Sequence, residues 1–249
     1  MRPKDQVLEV WGDFACFTRP ELKVERFSYP VITPSAARGI YDAIYSKPNK
    51  DPTQAEFRWQ ITKIEVLEPV SYIALRRNEV KDKAPSERTI KGWMNGKQPE
   101  PIWADGTTDM LGTDKKGRTQ RQTMALKNVR YRLHAQVRPW RGFENRLAGI
   151  ENCFRRRAGH GKCIYQPYLG CREFPAYFEL IEPEAEVKLP LSIHVDIGLM
   201  LYDVFDLSRP GTGEDEPCVS LFRANVEGGV LEIPEYENDK VLKGARRER

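Results

Sequence analysis

Basic residues and a histidine alternate along one predicted strand, and they are the side chains of this chain best suited to chemistry. Residues 126–138 alternate apolar and polar positions, which is the two-residue period of a strand with one buried face. Burying several arginines is costly, so we expect the polar face to meet solvent or a chain of phosphates. The alternative is an exposed edge strand protected by its charges. The polar positions are Arg130, Arg132, His134, Gln136 and Arg138.

Histidine is scarce in this sequence, which has only His134, His160 and His194. Cleavage of RNA without a metal needs a base for the 2′-hydroxyl proton and an acid for the leaving 5′-oxygen. Imidazole titrates near neutrality and suits either role. His160 lies between two glycines, as in a loop, and His194 is typical of a structural residue. We therefore predict that His134, which is embedded in the basic strand, is the acid–base residue.

Other kinds of catalytic site lack their motifs in this sequence. It contains no C-x-x-C pair, no Walker phosphate loop and no G-x-S-x-G elbow. Cys153, Cys163 and Cys171 flank His160 without the spacing of a zinc site. We therefore expect neither a metal nor another cofactor.

The charge of the chain is uneven. Its 249 residues carry a formal net charge of +4. Between Arg76 and Lys162, 21 basic residues stand against 9 acidic ones, whereas the rest of the chain has 19 against 27. A basic middle section is typical of a face that binds polyanions such as RNA or DNA, with a solvated charged surface as the alternative.

Hydropathy and cysteine content indicate the compartment. The sequence has no run of 18 apolar residues and no apolar N-terminal stretch, and its five cysteines are an odd number. We expect a soluble cytoplasmic protein without a disulfide framework or membrane contact.

The elements that position these residues alternate between strands and helices. A helix is predicted from Thr33, which caps it, through Pro34 in its first turn to Tyr45. The order strand, helix, strand, strand, helix, strand is that of a ferredoxin-like α+β domain, whose open sheet face RRM-type modules use for RNA. Besides 126–138, the predicted elements are strands at 7–16, 57–67, 72–75 and 172–180 and a helix at 144–157.

Three segments fall outside this pattern. Residues 80–122 are rich in proline, glycine and charge, and we predict a long, partly disordered insertion within a domain at 1–185. Residues 186–240 are predicted to form a small C-terminal antiparallel β domain. Residues 241–249 are predicted to be a disordered basic tail.

Five blocks of sequence are similar to a known family. They are VWGDFACFTRP at 10–20, SYPVITPSAARGI at 28–40, AIYSKP at 43–48, RRNE at 76–79 and YLGCREF at 168–174. Together they resemble the family-five Cas protein of type I-C CRISPR systems, a member of the RAMP superfamily. The likeness extends over residues 6–235.

The resemblance implies a fold and an activity. The fold would be a ferredoxin-like domain followed by a small β domain. The activity would be cleavage of the repeat in precursor CRISPR RNA at the base of its hairpin, through attack by the adjacent 2′-hydroxyl and without metal. The protein would then stay on the 5′ handle of the crRNA within Cascade, together with the backbone and large subunits.

The resemblance also implies site residues. The tyrosine that the family carries at the end of the first helix matches Tyr45. The family places a lysine beside a histidine on the central strand; His134 matches the histidine, and Lys127 is its nearest lysine in that strand. The expected RNA contacts are Arg76, Arg77, Lys115, Lys116, Arg118, Arg130, Arg132, Arg138, Arg155 and Arg156.

Two other functions stay open at this point. The chain could be a non-catalytic cap of the crRNA 5′ handle, in which Tyr45 and His134 only grip RNA. It could also bind duplex DNA through its basic insertion. Incubating the pure protein with repeat RNA and EDTA separates these alternatives best.

Overall fold

The computed structural model of the chain describes residues 2–22, 24–47, 55–113, 115–211 and 215–244. Its strands are β1 (Gln6–Ala15), β2 (Arg26–Phe27), β3 (Phe57–Val66), β4 (Tyr72–Val80), β5 (Arg118–Pro139), β6 (Tyr177–Ile181), β7 (Val195–Asp203), β8 (Ser220–Glu227), β9 (Val230–Glu232) and β10 (Val241–Lys243). Its helices are α1 (Pro34–Ile44), α2 (Glu87–Met94), α3 (Thr108–Leu111) and α4 (Leu147–Gly159), and a 3₁₀ turn at Glu144–Arg146 precedes α4.

The chain divides into two compact units. The main unit contains Met1–Ile73 and Met124–Arg249, and the insert unit contains Ala74–Thr123. A large antiparallel sheet with the strand order β10-β8-β9-β3-β5-β1-β6 organises the fold, and β7 is added beside β8. The fold is therefore mixed α and β, with β5 between β1 and β3.

Helix α1 forms where the sequence predicts it. The Thr33 hydroxyl accepts a hydrogen bond from the Ala36 N–H at 3.2 Å, and Pro34 occupies the first turn, as helix N-termini favour. The Tyr41 hydroxyl lies 2.8 Å from the carbonyl oxygen of Leu133 in β5, which fixes the helix on the sheet. Tyr41 is fully buried, so the apolar stripe of α1 forms part of the core.

Helix α4 packs on the same face of the sheet as α1. Its Phe154 stacks on Tyr41, with ring centroids 5.4 Å apart, and meets Trp59 of β3 at 4.6 Å. All three rings are buried. Aromatic burial between the two helices and the sheet therefore anchors the core and leaves the other face of β1, β3 and β5 to polar side chains.

Strand β3 contains a bulge. Ile61 pairs with Ala135 of β5, and Lys63 pairs with His134, so Thr62 is an extra residue with no β5 residue opposite it. The Thr62 carbonyl accepts a hydrogen bond from the Ile233 N–H at 3.0 Å. The bulge sets the register that brings Lys63 opposite His134.

Several predicted elements are confirmed, namely the strands that begin at residues 7 and 57, the helix from Pro34 and the helix near 144–157. Residues 80–122, predicted to be a partly disordered insertion, contain regular structure in their described part, including helix α2. The Ser86 hydroxyl accepts a hydrogen bond from the Thr89 N–H at 3.2 Å, and Glu87 pairs with Lys91 at 2.7 Å. Helix α2 buries no residue, and local capping and ion pairing stabilise it.

Other boundaries also differ from the predictions. Strand β5 begins at Arg118, eight positions before the predicted start at 126, and β6 begins at Tyr177. Strand β9 pairs with β3, so residues 186–240 belong to the same unit as the N-terminal strands, and the predicted boundary at 185 does not divide the units. Val241–Lys243 form β10, which corrects the start of the predicted tail; residues 245–249 lie outside the described residues.

Candidate functional site

His134 lies on the polar face of the main sheet, where it shares a carboxylate with a lysine. Its Nε2 atom is 3.1 Å from Oε1 of Glu65, and Nζ of Lys63 is 2.7 Å from the same oxygen. The other carboxylate oxygen of Glu65 takes a 2.5 Å contact from Arg132. We call these four residues the strand centre.

Glu65 stays ionised within the strand centre. Burial alone would raise its pKa, but hydrogen bonds from His134 and Lys63 outweigh burial and lower the pKa to about 2. The resulting carboxylate anion orients the imidazole through the contact with Nε2. The centre therefore holds an imidazole with two cations beside it, which are groups that acid–base chemistry on a phosphate uses.

The expectation that Arg132 faces solvent is wrong. Only 4% of its surface is exposed, and its guanidinium also donates to the Lys188 carbonyl at 2.7 Å. A second carboxylate, Glu9, lies 3.6 Å away. The two carboxylates offset part of the cost of burying this charge. It supports the strand centre from within the protein.

Arg130 is the more accessible arginine of this face. It pairs with Glu9 at 3.1 Å, its side chain is 37% exposed, and its guanidinium lies 4.9 Å from the ring centroid of Trp11. Arg138 pairs with Glu235 and has a 26% exposed side chain. Both arginines therefore offer solvent-accessible charge next to the strand centre.

Lys127 does not lie beside His134. It is exposed and pairs in register with Phe14 of β1. Seven residues of extended strand separate it from His134, a span of roughly 20 Å. The structure places Lys63 where the sequence suggested Lys127, since the neighbour of His134 comes from the adjacent strand.

Tyr45 belongs to a different group of residues, at the C-terminal end of α1. Its ring stacks on Phe57, and burial, reinforced by a hydrogen bond with Cys153, raises its pKa to about 12. Nearby, Glu56 binds both Lys47 and Arg146 at 2.9 Å. We call Tyr45, Lys47, Glu56, Arg146 and Cys153 the helix-end centre.

The structure does not bring Tyr45 and His134 together. Tyr45 packs with Phe57 on the face of the sheet that α1 and α4 cover. His134 pairs with Lys63 and Glu65 on the opposite, polar face. One phosphate cannot contact both side chains through the sheet, so the two centres are separate candidates.

The remaining predicted RNA contacts are spread over both units. In the insert unit, Arg76 and Lys115 are exposed, and ion pairs join Arg77 to Glu79 at 3.1 Å, Lys116 to Glu100 at 3.3 Å and Arg118 to Asp105 at 3.6 Å. In the main unit, Arg155 pairs with Glu182 and Arg156 is exposed at the end of α4.

Sequence reasoning missed the residues that complete each centre. Lys63 and Glu65 belong to the strand centre through cross-strand register, and Lys47 and Arg146 belong to the helix-end centre through packing of distant segments. A signal was available for Lys63 and Glu65, because two charges at alternate positions of a predicted strand share one face. Among the described residues, no group of three or more His, Cys, Asp or Glu side chains could hold a metal ion.

Comparison with known proteins identifies the family. Residues 7–234 match the family Cas_Cas5d, described as CRISPR-associated protein (Cas_Cas5). The chain belongs to this family. The Cas5d match spans the strand centre, the helix-end centre and the whole insert unit.

Two Cas5d relatives are similar to this chain over nearly their full length. One, from Mannheimia succiniciproducens, is 39% identical over 242 residues, which are 94% of this chain and 96% of the relative. The other, from Thermus thermophilus, is 36% identical over 239 residues, which are 91% and 90% of the two chains. Both relatives carry the name CRISPR pre-crRNA endoribonuclease Cas5d.

Solved structures show the same fold. A crystal structure titled as a CRISPR-associated protein aligns with a TM-score of 0.58 at 19% identity, covering 96% of both chains. The functionally uncharacterized protein SMU1763c from Streptococcus mutans aligns with a TM-score of 0.57 at 18% identity and equal coverage. At these identities the likeness concerns the fold alone.

Proposed function

We propose that this Cas5d chain is an endoribonuclease that cleaves the repeat of precursor CRISPR RNA. The observation that carries the proposal is the pairing of His134 with Lys63 around Glu65 on the polar face of the sheet. The names of the two relatives that cover this chain support RNA cleavage as the activity. Arg130 and Arg138 supply accessible positive charge on the same face.

The proposed reaction uses the RNA's own 2′-hydroxyl and no metal. The 2′-oxygen loses its proton, attacks the adjacent phosphorus and forms a cyclic phosphate while the bond to the 5′-oxygen breaks and that oxygen gains a proton. His134 moves one of these protons, and Lys63 stabilises charge that develops on the phosphate. Glu65 holds both groups through a single oxygen, Oε1.

The helix-end centre is the alternative place for the reaction. Resemblance assigns Tyr45 a catalytic role, and Lys47 and Arg146 are the cations that lie near it. Because the two centres occupy opposite faces, substitutions in them report on different sites. Lys127 lies too far from His134 to act on the same phosphate, so Lys63 takes the lysine role in this proposal.

The proposal extends to the fold and to partners. The elements β1, α1, β3, β5, α4 and β6 with the sheet order β6-β1-β5-β3 support a ferredoxin-like core, in which the first and third strands lie centrally. We infer that the protein works in the cytoplasm and stays on the crRNA 5′ handle as a Cascade subunit beside backbone and large subunits. No described helix is both long and apolar enough to cross a membrane.

A single-turnover assay tests the proposal. Excess protein is mixed with labelled repeat RNA in EDTA, and affinity is measured separately on RNA with a 2′-deoxy cleavage site. We expect cleavage in EDTA and a rate about 10²- to 10⁴-fold lower for His134→Ala, with little change in affinity. His194→Ala, which removes an exposed histidine elsewhere, is the matched control and should cut at the wild-type rate.

Four outcomes decide between the alternatives. If Tyr45→Phe abolishes cleavage and His134→Ala does not, the reaction belongs to the helix-end centre. If the wild type binds repeat RNA without cutting it, the chain is a cap of the 5′ handle. Loss of activity in EDTA with recovery in magnesium would refute the metal-independent reaction. Tighter binding to duplex DNA than to repeat RNA would favour a DNA-binding role.

A further inference from the structure

A cleft of about 380 Å³ opens beside α1 in the main unit, and none of the residues that line it belongs to either centre. Its walls include the rings of Tyr165 and Phe205, which are 49% and 47% exposed. Asp42 and Gly39 of α1 also line it. The volume is in the range of small-ligand sites, and half-exposed rings are the surfaces on which planar groups stack.

Gly39 keeps this cleft open. It lies in the interior of α1, where glycine costs about 1 kcal/mol relative to alanine. A Cβ at Gly39 would meet no atom within 4 Å, and its φ is not positive, so neither packing nor backbone conformation requires glycine there. A ligand that occupies the space above Gly39 would account for a glycine at this position.

The polar wall of the cleft contains a hydrogen-bond acceptor. Arg38 binds Asp203 through two contacts of 2.7 and 3.0 Å and donates to Oδ2 of Asp42 at 2.6 Å. Among the described residues, no group donates to Oδ1 of Asp42, whose side chain is a quarter exposed. Arg38 serves two carboxylates, and Oδ1 of Asp42 is left to accept a hydrogen bond from a donor in the cleft.

The walls are held in place by the fold. Asp203 accepts hydrogen bonds from the Val204 and Phe205 N–H groups at 2.8 and 3.0 Å, which fixes the Phe205 backbone. Tyr165 and Asp42 line the same cleft, and burial together with the charge of Asp42 raises the pKa of Tyr165. An aromatic ring beside a hydrogen-bond acceptor can stack on a base while the acceptor bonds to the edge of that base.

We propose that this cleft binds one unpaired base of the RNA, stacked against Tyr165 and Phe205, with its exocyclic amine donating to Asp42. Adenine, cytosine and guanine carry such an amine, whereas uracil presents two carbonyl acceptors and a single N–H. This inference rests on the proposed function only in taking RNA as the ligand, and it adds a base preference at a site distinct from both centres.

The test measures binding without cleavage. Fluorescence anisotropy would be recorded with fluorescein-labelled 2′-O-methyl oligomers of ten adenosines, ten cytidines or ten uridines, which lack the attacking hydroxyl. A failure of the nuclease proposal therefore leaves this assay unaffected. We expect the adenosine and cytidine oligomers to bind on the order of 10-fold more tightly than the uridine oligomer.

Matched variants assign the preference to the cleft. Gly39→Leu should fill the space, remove the preference and leave the melting temperature unchanged or higher, because leucine favours the helix. Gly149→Leu is its control, since that glycine is also helical, is exposed and has no atom within 4 Å of its Cβ position. Tyr165→Ala should also remove the preference, and Tyr165→Phe, which keeps the ring, should retain it.

Two results would overturn the proposal. One is equal binding of all three oligomers by the wild type. The other is a uniform loss of affinity for all three oligomers in Gly39→Leu or Tyr165→Ala, because that would indicate contacts with the backbone alone. If Gly39→Leu melts at a lower temperature, the comparison of Tyr165→Ala with Tyr165→Phe decides the question by itself.

Discussion

Removing the charge of Glu65 is the most informative perturbation of the strand centre. Glu65→Gln keeps the shape of the side chain but leaves His134, Lys63 and Arg132 without their shared anion. The pKa of Glu65 falls from an ordinary 4.5 to about 2 in the folded chain. Without screening, this pKa shift corresponds to about 3 kcal/mol of folding stability. After discounting for solvent screening, we expect the charge of Glu65 to contribute about 2 kcal/mol to the free energy of unfolding.

The direction of the pH dependence follows from that pKa. A carboxylate with a lowered pKa stabilises the folded state fully above pH 4.5 and progressively less as pH falls toward 2. Urea unfolding of the wild type and Glu65→Gln at pH 3 to 7 measures this. The difference in their free energies of unfolding should narrow by about 1 kcal/mol between pH 6 and pH 3.

The control is another paired carboxylate of the main unit. Glu68 binds Lys188 at 2.7 Å with a 39% exposed side chain, so Glu68→Gln should change stability by less than about 1 kcal/mol and show little pH dependence. If the Glu65→Gln difference stays constant from pH 6 to pH 3, Glu65 does not hold the strand centre together by its charge.

Three further predictions concern other residues. Arg130→Ala should weaken RNA binding and reduce the salt dependence of affinity by about one unit of slope, with the cleavage rate at saturating protein unchanged. Gly170→Ala should lower the free energy of unfolding by more than about 2 kcal/mol, because Gly170 has φ +83° and a Cβ there would lie 2.1 Å from the Cys16 carbonyl oxygen. Thr33→Ala should lower it by about 1 kcal/mol through loss of the α1 cap; urea denaturation checks both stability changes.

Local patterns in the sequence predict the parts of the fold that local physics determines. The cap at Thr33, the proline after it and the alternation around His134 are short-range signals, and the structure contains the elements they indicate. Helix α2 was missed because its eight residues lie among prolines, glycines and charges, which outweighed the short apolar stripe of Ile90, Trp93 and Met94. The pairing of β9 with β3 joins segments more than 160 residues apart, a distance over which a single sequence carries no signal.

In the candidate site, too, some features follow from the local sequence and others only from the fold. His134 and the polar identity of its strand face follow from period-two alternation alone. Its lysine neighbour comes from β3, because strand pairing and the bulge decide which residue stands opposite His134. The burial of Arg132 depends on Glu9 and Glu65 from two neighbouring strands. Sequence spacing therefore indicates which face a side chain takes, and only the fold supplies its partners.

The bulge at Thr62 also bears on insertions and deletions. Losing one residue from a strand ordinarily turns every following side chain to the opposite face. Loss of Thr62 would instead join Ile61 to Lys63, whose partners Ala135 and His134 are themselves adjacent, so the ladder would become regular. The protein without Thr62 should therefore melt closer to the wild type than one without Gln60. Natural variation in the length of this strand is expected at Thr62, because a residue can be lost or gained there while Lys63 keeps its place opposite His134.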